Sequence, residues 1–147
     1  MRTTVATDTA TIVVFDPACL KHRLDDDADW WSIPENELAE VNAGNAAFVN
    51  LGSDGTYELE IVPGQLTDPT ASVHLRNVSG RFFIGAGEYV SSEGLEPEAR
   101  YGNIFLDVAP GTYLVQARMS SPNHIAVSIS PTTDSSTNSF QDLVRLR

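Results

Sequence analysis

One cysteine, Cys19, in a chain of 147 residues rules out an intramolecular disulfide and gives no sign of an oxidising compartment. The N-terminus, MRTTVATDTATIVVF, lacks the apolar stretch of a signal peptide. No apolar run approaches the ~20 residues that a membrane-spanning helix needs. The expected setting is the cytoplasm, with no membrane partner. Nor does the sequence assemble a nucleophile, a base and an orienting group: His22, His74 and His124 fall in three separate segments. Gly85-Ala86-Gly87 has neither the extended glycine pattern nor the Lys-Ser/Thr of a phosphate loop. No enzymatic activity, catalytic residue or cofactor is expected.

Positive charge is scarce as well. Nine Lys and Arg residues face twenty Asp and Glu, for a net charge of −11. The imbalance sits early. Residues 1–60 carry twelve acids against Arg2, Lys21 and Arg23, a net −9, and the remainder carries eight acids against six basic residues, a net −2. Such a surface repels nucleic-acid phosphates and suits a basic protein or a cation. At 41% apolar and 20% charged, the chain has the composition of a globular protein large enough to bury one core. It reads as a single domain over residues 1–147, with a flexible segment near 130–139 where SPTTDSSTNS is linker-like.

Most of the chain alternates with period two. Thr11–Phe15 is a β-branched run, and Tyr57, Leu59 and Ile61 share one face while Glu58 and Glu60 share the other. Ile104, Leu106 and Val108 alternate likewise, as do Tyr113 through Met119 and Ile125 through Ile129. Val73–Val78 and Arg81–Ile84 are weaker strands around Ser79-Gly80. Gly52-Ser53-Asp54-Gly55, Pro110-Gly111 and Ser121-Pro122-Asn123 supply turns. Seven or eight short strands predict a mainly β fold, an antiparallel β-sandwich with one or two short N-terminal helices. Ser91–Gly102 is expected to be a surface loop, and residues 140–147 to dock as a last strand or short helix.

The exception to this alternation runs from Asp16 to Gly44. Asp16 and Pro17 have the order of a helix cap and first helical residue, predicting a short helix to about Arg23 with Leu20 and Leu24 one turn apart. Ser32 and Glu35 have capping-box spacing ahead of a helix carrying Leu38 and Val41, with Gly44 as its terminator. A strand through Val41 competes with that helix. Cys19 is expected to be buried and inert.

Between these helices lie Asp25, Asp26, Asp27, Asp29, Trp30 and Trp31, four carboxylates running into the only two tryptophans. Acidic groups steer a basic partner, and tryptophan is a frequent interface anchor, so these six residues are the candidate partner-binding set. Adjacent residues diverge on a regular element, which predicts one buried and one partly exposed tryptophan. Calcium is the competing ligand, but the run lacks both the ordered ligand spacing of an EF-hand and its glycine. No metal ligand is assigned.

The stretches VFDPACLKHRLDDDADWWS, NLGSDGTYELEIV and APGTYLVQARMSSPNHIAVSISP resemble a group of small bacterial proteins. The last of the three resembles β-sandwich inhibitors and immunity proteins, among them the competence nuclease inhibitor family. The resemblance implies a non-enzymatic protein that neutralises a toxin or nuclease by protein–protein contact. It matches strands and no binding motif, and so carries no site residue across. A Ca²⁺- or carbohydrate-binding sandwich module is the alternative, and an enzyme built on His22 or Cys19 the third possibility.

Overall fold

A computed structural model describes residues 1–90 and 102–146. Nine strands, β1 (Arg2–Thr7), β2 (Thr11–Phe15), β3 (Ala46–Asn50), β4 (Gly55–Val62), β5 (Ala71–Asn77), β6 (Arg81–Ala86), β7 (Ile104–Asp107), β8 (Gly111–Ser121) and β9 (His124–Pro131), form two sheets among the described residues. One sheet has the order β1-β4-β9-β8-β5 and the other β3-β2-β6-β7. One helix, α1 (Pro34–Asn42), and four 3-10 turns are the other regular elements among the described residues. The fold is mainly β, as the alternation predicts. Among the described residues the pairings between these strands are antiparallel except that of β4 with β9, where Leu59 lies beside Ile125 in a parallel register. The surface loop expected at Ser91–Gly102 lies, Gly102 apart, outside the described residues.

Both sheets contribute to one apolar core that includes Val5, Leu59, Val73, Val115 and Ile125 from the larger sheet and Val13, Phe48, Phe82 and Ile84 from the smaller. All five residues of β2 are buried, although successive side chains on a strand point to opposite faces. Both faces of the smaller sheet are therefore covered at that point, and β2 reads as a continuous apolar run. β1 was not foreseen. Its sequence, RTTVAT, has a single bulky apolar residue, Val5, and pairing with β4 rather than its own hydrophobicity makes it a strand.

The Asp16–Gly44 insert joins β2 to β3. Asp16 does cap a helical turn, its Oδ1 accepting from Ala18 N at 2.9 Å. The continuous helix expected to Arg23 is instead two 3-10 turns, Pro17–Cys19 and Lys21–Arg23, interrupted at Leu20. Leu20 docks in the core, but Leu24 ends up 44% exposed because a 3-10 path does not stack residues four apart. The capping box does not form either. Ser32 is taken into a further 3-10 turn, Trp30–Ser32, where its hydroxyl donates to Asp29 O, and Ile33 occupies the cap position of α1 without a side-chain bond.

α1 resolves the competition over Val41 in favour of a helix. It stops in a Schellman arrangement, with Asn45 N donating to Glu40 O and Gly44 N to Val41 O, both at 3.0 Å. Gly44 sits at φ 77°, and a Cβ there would meet Ser136 O at 1.8 Å. Glycine is required both for the turn and for the close approach of the C-terminal segment. That segment is tied down at several points: Asn138 N donates to Asn42 O, and the Asn138 side chain bonds both His74 N and His74 O on the outer edge of β5.

Candidate functional site

The base of the acidic segment is a pair of tryptophans on one phenylalanine. Trp31 stacks on Phe48 with ring centroids 5.9 Å apart and planes 11° apart, and Trp30 meets the same ring edge-on at 6.3 Å. Both are buried, Trp30 at 3% exposure and Trp31 at 6%. The expected part-exposed tryptophan is absent because the 3-10 turn at Trp30–Ser32 lets both rings reach β3. The indoles hold the segment down, and the polar surface is left to the aspartates.

Arg23 ties the segment together from the other side. Its Nη1 is 3.0 Å from Asp26, its Nε 3.3 Å from Glu40, and its guanidinium lies 4.8 Å above the Trp30 ring. Burial works against the Arg23 charge, but the hydrogen bonds and negative charges of Asp26 and Glu40 outweigh it and raise its pKa. Glu40 is the centre of a wider network. Only 4% exposed, it also meets His22 Nε2 at 2.8 Å and accepts from Asn45 Nδ2 at 2.9 Å, and Asn45 Oδ1 accepts from Arg76 Nε at 2.7 Å. A buried carboxylate with this many donors is satisfied, and it joins the insert, α1 and β5.

Above this base the chain turns tightly, with Asp26 N donating to Arg23 O and Trp30 N to Asp27 O. Asp25, Asp26, Asp27 and Asp29 are all exposed. Asp26 is paired with Arg23, whereas the carboxylates of Asp25, Asp27 and Asp29 have no cationic partner among the described residues. Asp25, Asp26 and Asp27 with Trp30, Ile33 and Asn36 line an open hollow of about 350 Å³. Asn36 is fixed there by its bond to Trp30 O at 3.2 Å, and Ile33, 48% exposed, gives the rim one apolar contact. The geometry suits capture of a long cationic side chain, with an apolar group resting on Ile33.

The three histidines are not brought together. His22 meets Glu40 on α1, His74 lies 3.5 Å from Asp134, and His124 lies 3.0 Å from Glu60 on β4. Cys19 is 1% exposed with its thiol directed at Arg76 O. Gly85 packs against Asn103, whose Oδ1 would stand 2.0 Å from a Cβ there, so its glycine serves packing. Among the described residues no group of three or more His, Cys, Asp or Glu side chains is placed to hold a metal ion. No described helix is long and apolar enough to cross a membrane.

Arg23, Glu40, Asn45 and Arg76 were not among the sequence candidates. The Arg23–Glu40 and Asn45–Arg76 pairs lie 17 and 31 positions apart, so spacing carries no signal for them. One clue was local, the i,i+3 pairing of Arg23 with Asp26.

Two solved structures share the fold. One, described as crocagin biosynthetic gene J, has a TM-score of 0.55 at 15% identity, covering 89% of this chain and 94% of that one. The other is ComJ of Bacillus subtilis, described as the inhibitor of the DNA-degrading activity of NucA, with a TM-score of 0.53 at 10% identity and coverage of 90% and 96%. No curated protein matches the chain in sequence. A family model does match residues 1–146, nearly the whole chain, and the protein belongs to the family described as "family of unknown function (DUF6386)".

Proposed function

We propose that this protein is a non-enzymatic inhibitor that neutralises a basic nuclease or toxin by protein–protein contact, with the Asp25–Asp29 ledge as part of its interface. The observation that carries the reading is the construction of that ledge. Three carboxylates with no cationic partner among the described residues follow closely on a base of two buried tryptophans, which presents their negative charge beside an exposed Ile33. A pre-organised acidic face loses little conformational freedom on binding and accelerates encounter with a positive surface. The fold shared with an inhibitor of a DNA-degrading enzyme supports the same reading.

The test is inhibition of DNA degradation by basic nucleases of the source organism, comparing the wild-type chain with Asp25→Lys/Asp27→Lys/Asp29→Lys. A target should be inhibited by the wild-type chain, with affinity falling as salt rises. The triple variant should bind it at least roughly a hundredfold more weakly, since like charges then face each other. Undiminished inhibition by the triple variant would move the interface elsewhere. Failure to bind any toxin or nuclease of that organism would remove the inhibitor reading itself.

A further inference from the structure

β3 is the last strand of its sheet, paired with β2 on one side only. Its outer edge is nevertheless occupied. Asn50 N donates to Val144 O at 2.9 Å and Leu146 N donates to Asn50 O at 2.8 Å, the pattern of a parallel bridge centred on Arg145. The Asn50 side chain reinforces it, giving a further bond to Val144 O at 3.1 Å. Val144 and Leu146 are buried, while Arg145 between them is exposed. On α1, Glu37 is buried and accepts from Asn50 Nδ2 at 3.0 Å, and it lies close enough to Arg145 to feel that positive charge. The outward backbone groups of Asn50, two apolar seats and the negative charge of Glu37 nearby on α1 form a recognition site for an extended peptide.

Among the described residues the occupant makes a single bridge rather than a ladder, and Gln141, Asp142 and Leu143 line a hollow of about 240 Å³ with Pro34, Glu35 and Leu38 of α1. Upstream, side-chain clips take over: Asn42 bonds Phe140 N and O, and Asn138 bonds the edge of β5. A segment with one backbone bridge among the described residues and a hollow beside residues 141–143 opens at lower cost than the sheets it touches. We propose that the outer edge of β3 is a strand-accepting site which the C-terminal segment fills as an internal ligand, and which takes in its place an extended segment of a partner with an apolar–basic–apolar pattern. This site is separate from the aspartate ledge and stands or falls independently of it.

The experiment uses the full-length chain carrying Val144→Asp/Leu146→Asp, which ejects the segment, and a labelled synthetic peptide of residues 140–146. Fluorescence anisotropy should show saturable single-site binding. Affinity should fall roughly tenfold for a peptide with Arg145→Glu, and the wild-type chain, whose site is filled, should bind roughly tenfold more weakly than the variant. A folded variant, judged by its tryptophan near-UV signal, that leaves the peptide unbound overturns the proposal, as does equal binding of the charge-reversed peptide. If the variant fails to fold, amide exchange in the wild-type chain decides. The Asn50 and Leu146 amides should exchange through a local opening faster than those of Val13 and Phe48. Exchange of all four only on global unfolding would mean that the segment is not displaceable.

Discussion

Trp31 lies flat on Phe48, their ring planes 11° apart, and that one stack connects the acidic segment to the β3 strand. Phe48 is fully buried and also meets the edge of Trp30. Truncation to alanine removes the seat of both indoles at once. Phe48→Ala should cost about 3–5 kcal/mol, the range for a fully buried aromatic, and Phe48→Leu clearly less. Urea unfolding gives the cost. The tryptophan emission of the folded variant should also shift to the red, because the indoles lose their cover; unchanged emission would show that Phe48 does not seat them.

Asp16 joins the start of the insert to the β5–β6 turn. Its Oδ2 accepts from Val78 N at 2.7 Å and Ser79 N at 2.8 Å, and its Oδ1 from Ala18 N and the Ser79 hydroxyl. Burial by itself raises its pKa, but the hydrogen bonds from Ser79, Val78 and Ala18 prevail and hold it below the ordinary 3.8. A depressed carboxylate contributes stability above its unfolded value, and the contribution disappears as pH falls through the folded one. Asp16→Asn turns an amide donor toward backbone donors and should cost about 2 kcal/mol at pH 7. The gap in melting temperature between wild type and variant should narrow below pH 3.8. A gap constant with pH would contradict the assigned charge.

A strand with clean alternation, such as β4, was legible because its more deeply buried face imposes period two on the residues themselves. β1 was not, since its place in the sheet comes from pairing with β4 and its own sequence is mostly threonine and polar. The insert was legible as an exception to the pattern but not in its path. Ser32 and Glu35 have the right spacing for a capping box, yet burial of both tryptophans on Phe48 draws Ser32 into the preceding turn. Tertiary packing outweighs a local cap of about 1 kcal/mol. The aspartates stand out in the sequence because all four fall between positions 25 and 29. Their supports, Arg23–Glu40 and Asn45–Arg76, meet only once the chain has folded.

Cys19 should be silent toward thiol reagents while the protein is folded. Burial, and then the negative charge of Asp16, push its pKa up to about 11, with Arg76 pulling only partly the other way. At pH 8 almost no thiolate exists, and the thiolate is the reactive species. Titration with a chromogenic disulfide should show no reaction in buffer and complete reaction in urea. Reaction in buffer at the rate of a free thiol would place Cys19 outside the core.

Glu37 reverses the sign worked out for Asp16. Burial raises its pKa above the ordinary 4.5, and the hydrogen bond from Asn50 and the charge of Arg145 recover only part of that shift. The folded state therefore binds the proton more tightly than the unfolded chain does. The stability this gives is fully present below pH 4.5 and is lost as pH rises through the elevated folded value. At pH 7 the ionised Glu37 consequently opposes folding. Glu37→Gln keeps an oxygen for Asn50 Nδ2 and removes the buried charge, at the expense of the attraction to Arg145. Its melting temperature should rise relative to wild type at pH 7 and should change less between pH 7 and pH 4.5 than that of wild type. A variant less stable than wild type at pH 7 would show that the attraction between Glu37 and Arg145 exceeds the cost of burying the carboxylate, and that the C-terminal segment is held mainly by charge.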